Sequence, residues 1–167
     1  MKSIPLTQGK FALVDEADFD ELNRHRWHYV KVKKGGGYAS RWICQYTPGS
    51  RKKIGVRMHN QILPPPDGMK VDHRNRNGLD NQRHNLRFAD GTQQMANRRT
   101  WKRKRFKGVY SVQNKHSVKW VGQIRVNGRL IILGRHPTEE AAAIAYNEAA
   151  TKHFGEFAVL NEVPNDR

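Results

Sequence analysis

Between Val71 and Asn97 the chain reads VDHRNRNGLDNQRHNLRFADGTQQMAN, and these residue types could do chemistry. Asp72 and His73 are adjacent, Asn85 follows His73 by 12 residues, and Gln94 follows Asn85 by nine. Phosphodiester hydrolysis calls for such groups. A hard divalent cation prefers oxygen ligands, so one carboxylate and one amide can hold it beside a phosphate. The attacking water must lose a proton, and histidine, at about 6.5, titrates nearest neutrality. An Asp-His pair alone is more commonly a surface ion pair or a satisfied turn, and an Asn-rich loop can be no more than Asx turns. Successive residues of a strand point to opposite faces. Asp72 and His73 therefore serve one reaction only if the strand bends or the substrate straddles it.

The elements that must position these residues form a strand–loop–strand–helix unit. Val71–His73 and Leu86–Ala89 read as short strands. Gly91-Thr92 opens a helix through Gln93, Gln94, Asn97 and Arg98. Upstream, Asp15–Leu22 reads as a short helix, and His25–Lys33, Tyr38–Tyr46 and Lys53–Met58 as strands. Gly35-Gly36-Gly37 turns between the first two strands. Trp27, Tyr29, Tyr38, Trp42 and Tyr46 are expected in the core.

Downstream, Gly108–Gln113, Val118–Val126 and Arg129–Gly134 read as three strands, with Asn127-Gly128 as a type I′ hairpin turn. Trp120, Gly122, Ile124 and Val126 share the face expected to pack inward. Lys119, Val121, Gln123 and Arg125 share the outward face. Thr138 is the expected N-cap of a helix with Glu139 and Glu140 in its first turn. Ala142, Ala145, Tyr146 and Ala149 form its core stripe, and Gly155 stops it.

Charge points to the partner. The 167 residues carry 31 Lys plus Arg against 15 Asp plus Glu, a net charge of +16. From His136 onward there are six acidic and two basic residues, so the preceding 135 residues carry +20. The densest run, RRTWKRKRFK at Arg98–Lys107, holds seven bases and no acid. Such a field favours a polyanion: nucleic acid first, duplex DNA ahead of RNA, with an anionic membrane surface or an acidic protein as the alternatives. One cysteine excludes an intrachain disulfide or a zinc site built from cysteine pairs. The longest apolar run, Ala141–Tyr146, has six residues, too few to span a membrane. Met1–Lys10 lacks the apolar stretch of a secretory signal. A monomer in the cytoplasm is expected, the host's cytoplasm if a phage encodes the chain.

Two resemblances add to this. Phe106–Asn161 resembles the Apetala-type, ethylene-response-factor-like DNA-binding domain. The matching residues are Lys107–Val109, Lys119-Trp120, Gln123–Gly128, Leu133-Gly134, Thr138–Tyr146 and the FGEFAVLN ending. The resemblance implies a three-stranded sheet lying in the DNA major groove, with the helix behind it. Lys107, Gln123 and Arg125 then fall at DNA-contact positions, and Tyr110, Leu130 and Ile132 fall where plant members carry Arg or Trp. Arg129 and Arg135 are expected phosphate contacts on general grounds. So are the bases of the linker, Arg98, Arg99, Lys102, Arg103, Lys104 and Arg105.

The Asp72-His73, Asn85, Gln94 spacing resembles the HNH nucleases, in particular the phage and intron-encoded homing endonucleases. The likeness continues into Ile4–Asp15 and Met58-His59, so it covers nearly the whole chain. It implies an α+β protein: a small N-terminal β-rich region, a ββα-metal core at about 69–97, and a three-stranded antiparallel sheet on one helix. The implied divisions are a nuclease domain at 1–97, a basic linker at 98–106 and a DNA-binding domain at 107–162. His73 becomes the general base, and Asn85 braces the loop that orients it. Asp72 and Gln94 become the ligands of Mg²⁺ or Mn²⁺. Gln94 departs from the usual His or Asn, and Asn97, one turn on, is a second candidate. His59 reads as a packing or phosphate-contact residue. The alternative is a non-catalytic DNA-binding protein with a degenerate core.

Overall fold

The computed structural model describes residues 1–32, 36–98, 105–114 and 117–164, in two compact units, Met1–Asp90 and Gly91–Arg167. Each mixes helices with antiparallel strands, in three small sheets in the first unit and one in the second among the described residues. Four α-helices stand among the described residues.

The first unit begins with a hairpin that the sequence reading did not mark. Strands β1 (Lys2–Pro5) and β2 (Phe11–Val14) pair antiparallel around a 3-10 turn at Thr7–Gly9. Strands of four residues carry too little alternation to be legible alone, yet Ile4, Leu6, Ala12 and Val14 are all buried. Helix α1 (Glu16–Asn23) follows and buries Leu22. A three-stranded sheet comes next, β3 (His28–Lys31), β4 (Gly37–Thr47) and β5 (Ser50–Arg57), with β4 central. Helix α2 (Met58–Ile62) turns the chain back over β4 and β5. Strands β6 (Lys70–His73) and β7 (Leu86–Ala89) complete the unit as an antiparallel pair.

The core joins Ile4, Val14, Leu22, Trp27, Ala39, Met58, Val71 and Leu86. Of the five aromatics expected in it, only Trp27 is buried. Tyr29 and Tyr38 are half-buried, while Trp42 and Tyr46 are 61% and 70% exposed. The reason is length: β4 and β5 run as a two-stranded ribbon past the end of β3, whose last pairing is Lys31 with Gly37 and first is His28 with Ser40.

The second unit opens with α3 (Gly91–Ala96), which ends two residues short of the expected Arg98. Its sheet has the order β10–β9–β8, from β8 (Val109–Asn114), β9 (Ser117–Val126) and β10 (Arg129–His136). The β9–β10 turn has φ of 49° at Asn127 and 78° at Gly128, as a type I′ turn requires. Helix α4 (Glu139–Phe154) packs on this sheet. Thr138 caps it, its hydroxyl accepting from the Ala141 amide at 3.1 Å.

Two details differ from the sequence reading. The buried stripe of α4 is Ala142, Ala143, Tyr146, Ala150 and Phe154, while Ala145 and Ala149 are half-buried at its margin. Val121 alternates with the outward set but is 3% exposed. It stands in register between Tyr110 on β8 and Arg135 on β10, with a long side chain on either hand. A Cβ at Gly108 would collide with the Tyr146 ring, so glycine there lets the chain cross α4 closely.

Candidate active site

In the first unit, Asp72 and His73 end β6 and Asn85 stands just before β7, at the far end of the loop that joins the two strands, and each makes its own set of contacts. The loop closes through side chains. Asn85 Nδ2 donates to the Asp80 carbonyl at 2.7 Å and to Asn75 Oδ1 at 3.1 Å, and its Oδ1 accepts from the Asn75 amide at 3.0 Å. Asp80 is buried, with one carboxylate oxygen taking Asn75 Nδ2 at 2.7 Å and the other Gln82 Nε2 at 2.8 Å. Asn75 and Asn77 also each accept from the amide two residues on, at 2.8 and 3.1 Å. These are the Asx turns that an Asn-rich run favours. The loop is tied to β2 through Leu13 N–H to Leu79 O and Asn81 N–H to Leu13 O, both 2.8 Å. A Cβ at Gly78 would strike the Tyr38 ring at 2.5 Å and the Gly37 carbonyl, so the loop crosses β4 at glycine-only distance.

His73 is 5% exposed. Its Nε2 lies 3.3 Å from Asn81 Oδ1, and the tautomer with its proton on Nε2 donates there. Burial lowers its pKa below the usual histidine value, against smaller opposing effects of Asn81, Asp72 and Asp80. His59, from α2, meets His73 edge-on with ring centroids 4.9 Å apart, and Tyr38 lies 5.3 Å from His59. The Arg57 guanidinium lies over the Tyr38 ring at 4.7 Å. Burial foremost, with His73 and Arg57 adding to it, pushes the His59 pKa down to about 3. Both rings are therefore neutral at pH 7. Sequence reasoning had His59 as packing or phosphate contact, and the packing is what the structure places. Tyr38 and Asn81 gave no local signal, because they reach His73 from β4 and from the loop.

Asp72 has a different set of partners. Arg87, its register partner on β7, brings Nε and Nη2 to Asp72 Oδ2 at 3.2 and 3.1 Å. The two side chains are 13% and 6% exposed. Among the described residues no group of three or more His, Cys, Asp and Glu forms a metal cage. A carboxylate is the kind of ligand that a hard cation such as Mg²⁺ takes, one or two from the protein while it keeps much of its water.

The remaining candidates lie in the second unit. Gln94 is half-buried on α3, and Asn97 is buried just beyond it. Lys107 turns its ammonium onto the carbonyls of Ala96 and Arg98 and over the Tyr146 ring. Arg105 pairs with Glu140 at 2.7 Å and Glu139 at 3.5 Å. Gln123 is half-buried, and Arg98, Arg125, Arg129 and Arg135 are exposed, with Arg125 Nη1 donating to the Gly128 carbonyl at 2.8 Å. Arg99, Lys102, Arg103 and Lys104 lie outside the described residues.

The chain is 36% identical over 156 residues to a protein of Acanthamoeba polyphaga mimivirus named an uncharacterized HNH endonuclease, a match that covers 93% of this chain and 77% of that one. The chain belongs to the HNH endonuclease family. That relative comes from a giant virus. No protein-family model and no solved structure matches the chain. No helix among the described residues is long and apolar enough to cross a membrane.

Proposed function

We propose that this chain is a metal-dependent DNA endonuclease of the HNH homing type, which hydrolyses phosphodiester bonds in a duplex site. The observation that carries the reading is the His73 environment: a buried imidazole at the end of β6, where the loop that Asn85 locks begins, in a chain of HNH kinship. His73 takes the proton of the attacking water at Nδ1, while its Nε2–H bond to Asn81 holds the ring plane. Asn85 is a positioning residue, acting through the loop rather than on the phosphate. Asp72, fixed by Arg87, would hold the cation, with Gln94 assigned by resemblance as the second oxygen donor. A bound divalent cation offsets charge on the phosphate and the leaving oxygen. The basic sheet of the second unit reads the major groove through Gln123 and Arg125, with Arg129 and Arg135 on phosphates. The chain works as a monomer.

Supercoiled plasmid incubated with the chain and Mg²⁺ tests this. The wild type should nick or linearise the plasmid. His73→Ala should leave it intact while still shifting duplex DNA in a gel. Equal cutting by both proteins removes His73 as the base. The second reading, a DNA-binding protein that no longer cuts, draws on the Arg87 hold on Asp72 and on glutamine at position 94. It predicts a footprint that persists in EDTA and no cleavage with any divalent ion.

A further inference from the structure

The β4–β5 ribbon has no part in the proposed chemistry, and its surface is unusual. In register, Trp42 faces Gly55, Cys44 faces Lys53 and Tyr46 faces Arg51, so all six share one face. On that face Trp42 is 61% and Tyr46 70% exposed. Both are held in place: His28 stacks on Trp42 at 5.9 Å and 14°, and the Arg51 guanidinium covers Tyr46 at 5.6 Å. The Trp42 ring lies beside Gly55, at van der Waals distance from where a Cβ would stand. From Gly37 to Arg57 the sequence has five bases (Arg41, Arg51, Lys52, Lys53, Arg57) and no acid.

Lysines on an edge strand can serve merely to prevent edge pairing. That role accounts for the bases of β5 but not for a tryptophan and a tyrosine left in water beside them. A second copy of the ribbon would set bases against bases. An anionic partner with flat apolar surfaces satisfies both features, and a nucleic acid offers phosphates and base faces together.

We propose that the β4–β5 ribbon is a DNA-binding arm of this protein, laid along the duplex beside the cleavage site, with Trp42 and Tyr46 against bases or sugars and Arg51 and Lys53 on phosphates. Its placement rests on the nuclease reading above and follows from strand continuity. Tyr38, at the near end of β4, is 5.9 Å from the His73 ring, and the same strand carries Tyr46 at the far end. Eight residues of strand at about 3.4 Å each reach roughly 27 Å, or about eight base pairs of duplex at 3.4 Å per step. A two-stranded ribbon fits the major groove. The arm therefore extends the contact about eight base pairs to one side of the scissile phosphate.

Cys44 is the single cysteine of the chain and lies on this face, so it reports on the arm in the unmodified protein. The Arg51 side chain, whose Nη2 lies 3.4 Å from the sulfur, lowers the thiol pKa and favours its labelling. The full chain is incubated in EDTA with a neutral maleimide, with and without saturating duplex. Duplex should slow Cys44 labelling at least fivefold. Trp42→Ala with Tyr46→Ala should weaken binding by about tenfold or more and shorten the footprint on one side. Arg51→Ala with Lys53→Ala should reduce the salt slope of binding by about two. These residues are exposed, and circular dichroism of each variant should match the wild type.

Unchanged Cys44 labelling in a complex that a gel shift shows to be formed overturns the arm. So does protection by anionic phosphatidylserine vesicles but not by duplex, which transfers the face to a membrane. Cys44 protection without cleavage in Mg²⁺ sinks the nuclease reading and leaves the arm standing.

Discussion

Mild acid should destabilise the first unit through His59. The ring is 3% exposed, and its Nδ1 is buried with no hydrogen-bond partner among the described residues, so a proton placed there meets no acceptor among them. Its pKa falls to about 3 in the folded chain from 6.5 in the unfolded one. A depressed folded value means that the unfolded chain binds more protons between the two. Stability is therefore complete above pH 6.5 and falls as the pH drops toward 3. Each unit below 6.5 costs about 1.4 kcal/mol, so moving from pH 7.5 to 5.0 removes about 2 kcal/mol through His59 alone. His73, also depressed by burial, adds in the same direction. Urea unfolding followed by tryptophan fluorescence at pH 7.5, 6.0 and 5.0 measures the slope, in a range where most carboxylates are still ionised. The control is His59→Phe, which keeps a ring against Tyr38 and His73 but cannot titrate. Its stability should fall about 2 kcal/mol less over the same interval, whatever its absolute value. Identical slopes for the two proteins would refute the burial argument.

Three further outcomes follow from the geometry. Asn85→Ala removes the three bonds that the Asn85 side chain makes to the loop, and should cost about 2–3 kcal/mol in urea unfolding together with loss of plasmid nicking. Gly78→Ala places a methyl into the Tyr38 ring and should destabilise by about 1–3 kcal/mol, whereas the same change at the open position Gly68 should not cause such a collision and should cost mainly backbone strain. Duplex binding should weaken by roughly a thousandfold between 50 and 200 mM salt if about six phosphates are engaged. A salt-independent Kd would contradict the reading of the +16 charge.

Local chemistry made part of this protein legible from its residues. The Asn-Gly turn, the Thr138 cap and the strands at 70–73 and 86–89 depend on preferences within a few positions, and they stand where the sequence puts them. The spacing of Asp72-His73 and Asn85 likewise marked a family that kinship at 36% identity now shows. What the chain does around those residues was decided by contacts distant in sequence. Arg87 claims Asp72 only because β6 and β7 pair in that register. His59 and Tyr38 reach His73 across 14 and 35 positions, and no periodicity announces such a meeting. Trp42 and Tyr46 read as core by composition but stand in water, because hydrophobicity sets the drive to bury a ring while the lengths of neighbouring strands decide whether anything lies above it.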